Sequence, residues 1–448
     1  MHFCIGLKPE GDGFAQNKID RPINMTHLHI CSRFNRNALG AAIGLALSSS
    51  VLSSTVQAAG FVDDAKVSLN LRNYYFNRNY INHSGPRLDG NDQSQAEGWT
   101  QSFILDARSG FTEGTVGFGL DVLGLYSIKL DGNETAANSQ LLPMHDDGDP
   151  ASDYGRTAVA AKARISKTEL KVGEWFAVLP ILRADDGRSL PQTFRGAQIT
   201  SNEIDGLSLY GGQFRGNSQR HDSGMEDMSY AGIESDRFNF GGGEYRFNGN
   251  STMVGLWHAR LEDIYQQSYL QLTHSQPVGD WVLGVNLGYI SGKDEGSAKA
   301  GDLDNKVYQG SFSARTGSNT FTFAYQRLGG DTKFMRVDGA SGGTLVNDGF
   351  TASFDSPEER SWQLRHDYNF AGLGIPGLTL MNRYMSGSHI NGVSGNEEWA
   401  RESELAYTIQ DGTLKNLSVR WRNSDIRRDV GQDFHENRLI INYPLSLL

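Results

Sequence analysis

The chain has 448 residues, a formal net charge of −11, and 53 glycines against only 11 prolines. An acidic total of this kind argues against nucleic acid as a partner, and no apolar run reaches the roughly eighteen residues that a membrane-spanning helix needs. Low average hydropathy still leaves room for a β-barrel, in which only every second residue meets lipid.

At the amino terminus, Arg33 and Arg36 precede an apolar, small-residue run from Ala38 to Leu52, and Val56-Gln57-Ala58 follows as a small-residue cleavage pattern. This arrangement predicts a secretory signal peptide cut after Ala58. The run is too short, and its end too rich in serine, for a membrane anchor. The residues before Met25 add nothing that a signal needs and read as an upstream extension. The expected organisation is therefore residues 1–58 removed and residues 59–448 forming the working protein. Both cysteines, Cys4 and Cys31, fall in the removed part, so the mature chain offers no disulfide, thiol chemistry or zinc site.

From Lys66 onward the dominant period is two. Val67, Leu69 and Leu71 alternate with Ser68, Asn70 and Arg72, and Phe103, Leu105 and Ala107 repeat the pattern. Later come Leu283/Val285/Leu287/Tyr289, Phe321/Phe323/Tyr325, Leu405/Tyr407/Ile409, Leu417/Val419/Trp421 and Leu439/Ile441/Tyr443. Successive side chains of a strand face opposite ways, so these stretches read as strands of an all-β chain. Any one of them suits either a soluble sandwich or a membrane barrel. The punctuation separates the two. Short turns such as Gln276–Asp280 and Thr316–Asn319 alternate with long polar loops such as Phe176–Phe194 and Gly329–Arg360. That asymmetry belongs to outer-membrane barrels, with tight periplasmic turns and long extracellular loops. Counting hairpins, and accepting a weakly patterned pair around Thr252–Ala259 and Tyr265–Thr273, gives about eighteen antiparallel transmembrane strands.

Several motifs invite chemistry that their context denies. Gly372-Leu373-Gly374-Ile375-Pro376-Gly377 matches a dinucleotide-binding pattern, but an alternating strand follows where a helix must open. His145-Asp146-Asp147-Gly148-Asp149 lacks the spaced ligands and final glutamate of a calcium loop. No G-x-S-x-G elbow supports a serine hydrolase. No cofactor is expected, and the chain does not read as an enzyme.

The basic residues form the constellation that matters. Parity places Arg72, Arg164, Arg315, Arg365, Arg383, Arg420, Arg422 and Arg438 opposite the apolar face. In a closed barrel the last strand neighbours the first, so Arg72, Arg383, Arg420, Arg422 and Arg438 can share one wall. Guanidiniums close together on a water-filled wall attract anions, and their planar forks suit carboxylates.

The blocks GWTQSFIL (Gly98–Leu105), SGFTEGTVGFGLDVLGL (Ser109–Leu125), SLPQTFRGAQITSNEIDGLSLYGGQF (Ser189–Phe214), ERSWQLRHDYNFAGLGIPGLTLMNRYMSG (Glu359–Gly387) and NRLIINYPLSLL (Asn437–Leu448) make the chain resemble the OprD-type porins, substrate-specific channels of Gram-negative outer membranes. The resemblance runs over essentially the whole mature chain. It implies an eighteen-stranded barrel in outer-membrane lipid, monomeric or loosely trimeric, whose inward loops form an eyelet. It also implies passive diffusion of small carboxylate solutes, amino acids or aromatic and organic acids, guided by a basic ladder. Carried over, Arg420, Arg422 and Arg438 are ladder positions, with Arg383 and Arg72 beside them. The third long loop, with Arg183, Asp185, Asp186, Arg188, Gln192 and Arg195, supplies the constriction. Its segment ADDGR departs from the family in being more charged, and two acids at an eyelet would disfavour dianions or bind an ammonium. A non-selective general porin and, further off, an outer-membrane hydrolase are the alternatives.

Overall fold

The computed structural model describes residues 59–81, 85–86 and 92–448. The predicted signal segment, with Cys4 and Cys31, lies outside the described residues. Eighteen strands make one antiparallel sheet that closes on itself. In chain order they are β1 (Lys66–Tyr80), β2 (Gln95–Arg108), β3 (Gly117–Asp131), β4 (Asp153–Ile165), β5 (Thr168–Trp175), β6 (Thr193–Ser201), β7 (Leu207–Ser218), β8 (Phe238–Phe247) and β9 (Thr252–Leu261). The second half comprises β10 (Tyr265–Val278), β11 (Trp281–Asp294), β12 (Asp304–Thr316), β13 (Asn319–Gly329), β14 (Arg360–Asn369), β15 (Leu378–Ser388), β16 (Glu397–Thr408), β17 (Ser418–Arg428) and β18 (Phe434–Ser446). Each strand pairs with its chain neighbours, and β18 returns to β1 with Arg72 opposite Asn442 and Phe76 opposite Arg438. Closure leaves no free edge, so the sheet satisfies its own backbone groups where no water reaches.

The weakly patterned pair is real: β9 and β10 run in register from Thr252 opposite His274 to Leu261 opposite Tyr265. Gly242 on β8 makes room beside it, because a Cβ there would lie 2.5 Å from the Trp257 ring. The Gly372–Gly377 pattern is a turn. A short 3-10 segment, Phe370–Leu373, passes into Gly374 and Gly377, whose φ values of 84° and 89° suit glycine, and then into β15.

Strands overrun the apolar pattern on the long-loop side. β1 continues to Tyr80 and β17 to Arg428, beyond Tyr75 and Trp421, the last apolar residues of their outward faces. Above the lipid the outward face no longer needs apolar side chains, while the hydrogen-bond ladder persists, so alternation stops before the strand does.

The outward face carries Leu120, Leu170, Val172, Leu256, Leu270, Leu287, Phe312, Phe323, Leu364 and Leu439, all exposed. So much bare hydrocarbon around one molecule marks a lipid-facing belt. The inner face divides into two halves. Over β6–β13 it is apolar, with Phe194, Phe214, Phe238, Trp257, Tyr269, Ile290, Val307 and Leu328 buried. Two loops fold inward and cover it: residues 176–192 contribute Leu179, Ile181 and Leu182, and residues 330–359 contribute Phe334, Met335, Val337 and Leu345. The loops also join each other, the Ser341 N–H donating to the Arg183 carbonyl at 2.9 Å and the Thr344 hydroxyl to the Pro180 carbonyl. The opposite half of the wall, β14 to β18 and then β1, is where the arginines stand, and the end of the longer loop packs there too, with Ala352 and Phe354 against Met385, Ala400, Ile426 and Phe434.

Candidate functional site

Register brings the arginines together. Arg365 on β14 faces Arg383 on β15, and Arg422 on β17 faces Arg438 on β18. Like charges directly opposite repel, and each guanidinium here has a carboxylate beside it. Arg365 pairs with Asp367 at 2.7 Å. The Arg383 Nε donates to Glu402 at 2.5 Å. Glu404 takes Arg422 at 2.6 Å and Arg420 at 3.5 Å. Glu436 takes both Arg438, at 2.5 Å, and Arg78, at 2.6 Å.

Phe350, near the tip of the longer inward loop, caps this row. Its ring centroid lies 5.3, 4.9 and 5.5 Å from the guanidinium carbons of Arg383, Arg422 and Arg438, and its carbonyl accepts from Arg438 at 2.5 Å. Arg365, Arg383 and Arg422 line a cavity of ≈ 490 Å³ on the short-turn side. Arg183, Arg188, Arg422 and Arg438 line another of ≈ 700 Å³ on the long-loop side. Asp348, Gly349, Phe350 and Arg422 border both, so they form the neck between them.

A family model described as outer membrane porin, OprD family, matches residues 59–447. The chain belongs to that family. The porin is 62% identical over 396 residues to the porin-like protein GalP of Pseudomonas putida, covering 87% of this chain and 94% of the relative. It is 57% identical to the Pseudomonas aeruginosa OccK2 structure in complex with glucuronate, with a TM-score of 0.78 and coverage of 87% and 100%. It is 48% identical to the Pseudomonas aeruginosa OpdK structure with vanillate, with a TM-score of 0.81 and coverage of 86% and 100%.

The residues expected at the porin's constriction take different roles. Asp185 and Asp186 are not free acids in the eyelet: Arg220 holds Asp185 at 2.7 Å, and Arg72 holds Asp186 at 2.6 Å. Burial raises the Asp185 pKa, but Arg220, the Gly187 N–H and Arg188 together bring it below the ordinary carboxylate value. Both carboxylates line the long-loop cavity, each paired with an arginine, and the Asp186 side chain is 43% exposed there. Arg72 is correspondingly a clamp. It also donates to Asn442 and the Arg188 carbonyl, tying the shorter loop to the wall, although its side chain borders a small cavity on the short-turn side. Gln192 is buried and structural, donating to Asn217 at 3.0 Å. Arg195 is exposed at the start of β6, and neither lumen cavity includes it. Arg183 faces the long-loop cavity and holds no ion pair among the described residues.

Sequence reasoning overlooked Arg78, Glu402, Glu404, Glu436 and Phe350. Arg78 shares the parity of Arg72 and was legible. The glutamates also carry inward parity, but nothing in their own strands says which arginine each meets.

Proposed function

We propose that the porin passes small carboxylate-bearing solutes by selective, passive diffusion along the β14–β18 wall, with no covalent step. The observation that carries this reading is the row Arg365, Arg383, Arg422 and Arg438, whose members line the two cavities on either side of the neck. Glucuronate in OccK2 and vanillate in OpdK, carboxylates held by related barrels, support it. The internal glutamates explain how a solute can leave again. A guanidinium already sharing Glu402, Glu404 or Glu436 offers a passing carboxylate an exchange of partners, and each site has modest affinity, as conduction through a series of sites requires. One chain closes one barrel, so each copy conducts by itself, whether monomeric or loosely trimeric. Cleavage after Ala58 would release the mature form to the outer membrane.

Single-channel recording tests the reading. Glucuronate or benzoate should reduce the current, and Arg420→Ala with Arg422→Ala should weaken that block severalfold. Block of equal strength in the double variant would remove the arginine row from the mechanism.

A further inference from the structure

A second basic cluster lies on the long-loop side of the neck. Three guanidiniums surround the Phe76 ring: Arg78 at 5.4 Å, Arg188 at 4.8 Å and Arg438 at 5.7 Å from its centroid. Among the described residues they share one carboxylate, Glu436, which Arg78 and Arg438 divide. Arg188 makes no direct ion pair among the described residues, Asp185 acting on it only at longer range; its Nε donates to the Ser139 carbonyl at 2.7 Å and its Nη1 to the Gly187 carbonyl at 2.8 Å. Arg188 is only 6% exposed and Arg438 only 2%. Excess positive charge held this far from water is unfavourable unless an anion joins it. Burial, together with Arg438 and Arg220, lowers the Arg188 pKa to about 9.

Arg78 and Arg188 open onto a further cavity of ≈ 710 Å³, as well as onto the one that leads to the neck. Asn138 and His221 line this outer cavity, and the Asn138 Nδ2 and His221 Nδ1 are buried without hydrogen-bond partners among the described residues. Polar atoms left in that state are uncommon and point to an absent ligand or water. Asp222 faces the same cavity, one of its oxygens accepting from the Gly224 N–H at 2.8 Å.

We propose that this outer cavity is a capture site for hydroxylated monocarboxylates of the sugar-acid type, which bind here before passing to the arginine row. The solute carboxylate would join Arg188 and Arg78, supplying the missing negative charge. Its hydroxyl groups would meet Asn138 and His221. Asp222 would repel a second carboxylate, which limits the class to monoacids. The inference rests on the carboxylate reading above and adds a place and a preference to it.

The experiment is single-channel recording with glucuronate or benzoate added on the long-loop side, comparing the wild-type porin with Asn138→Ala/His221→Ala. Neither side-chain atom has a partner among the described residues, so the double variant removes no hydrogen bond of theirs through these two atoms. Glucuronate association from that side should fall about tenfold, the worth of two ordinary hydrogen bonds, while benzoate changes less than twofold. Equal changes for both acids, or none for glucuronate, would overturn the proposal. Arg420→Ala/Arg422→Ala keeps the two readings apart. If it weakens block by both acids while the cavity variant leaves glucuronate untouched, the capture site fails and the arginine row stands. If neither acid blocks the wild-type channel, both fail.

Discussion

Glu402 is the point where the longer inward loop is fastened to the wall. It is fully buried, and it accepts from the Arg383 Nε at 2.5 Å, the Phe350 N–H at 3.2 Å, the Thr351 N–H at 2.9 Å and the Thr351 hydroxyl at 2.5 Å. Glu402→Gln keeps the shape but removes the charge, and its single oxygen cannot accept from both Arg383 and Thr351. Breaking one side of a buried ion pair typically costs about 3–5 kcal/mol, because the remaining charge loses its partner. The pair joins β15 to β16, whose backbone ladder stays intact, and the same lost charge also loosens the loop tip, which Glu402 holds through the Phe350 and Thr351 N–H groups. The expected result is a larger, noisier unitary current and weaker carboxylate block in planar bilayers, with an unchanged barrel melting profile on gels. The double variant Arg383→Gln/Glu402→Gln should be closer to wild type than Glu402→Gln alone, since no charge is stranded. A single variant with wild-type conductance and noise would refute the claim that this carboxylate holds the tip in place.

Two further outcomes follow from particular side chains. Burial raises the Asp348 pKa to about 6, with Ser353, Arg336 and Arg383 offsetting it only in part. Its folded-state pKa lies above the ordinary carboxylate value, so the group is neutral at pH 5 and becomes negative as pH rises through 6, adding repulsion at the neck. Carboxylate block should therefore be stronger at pH 5 than at pH 7.5, and Asp348→Asn should flatten that difference; a profile unchanged by the substitution would discount Asp348. On the lipid face, Leu287→Arg should destabilise the folded barrel by about 2–4 kcal/mol, as an arginine placed deep in the bilayer does. Urea titration of folding into lipid vesicles measures this, and an unshifted midpoint would place Leu287 outside the hydrocarbon.

The period-two pattern was enough to assign inside and outside to each strand, because a side chain's face is a local property of the backbone. Val419 and Trp421 point to lipid and Arg420 and Arg422 to the interior for that reason alone, and the alternation of short and long connections oriented the barrel. The partner of each inward charge was a different matter. Arg72 meets Asp186 across 114 residues and Arg78 meets Glu436 across 358, separations over which no local pattern carries information. The apolar residues at 179–182 and 334–345 read as loop, and only packing reveals that they cover the β6–β13 half of the wall, while Phe350 of the longer loop comes down on the arginines. Strand alternation thus determined which residues could face the passage. The inward folding of two loops decided which of them a solute can reach, because burying apolar surface selects the half of the wall that can bury it.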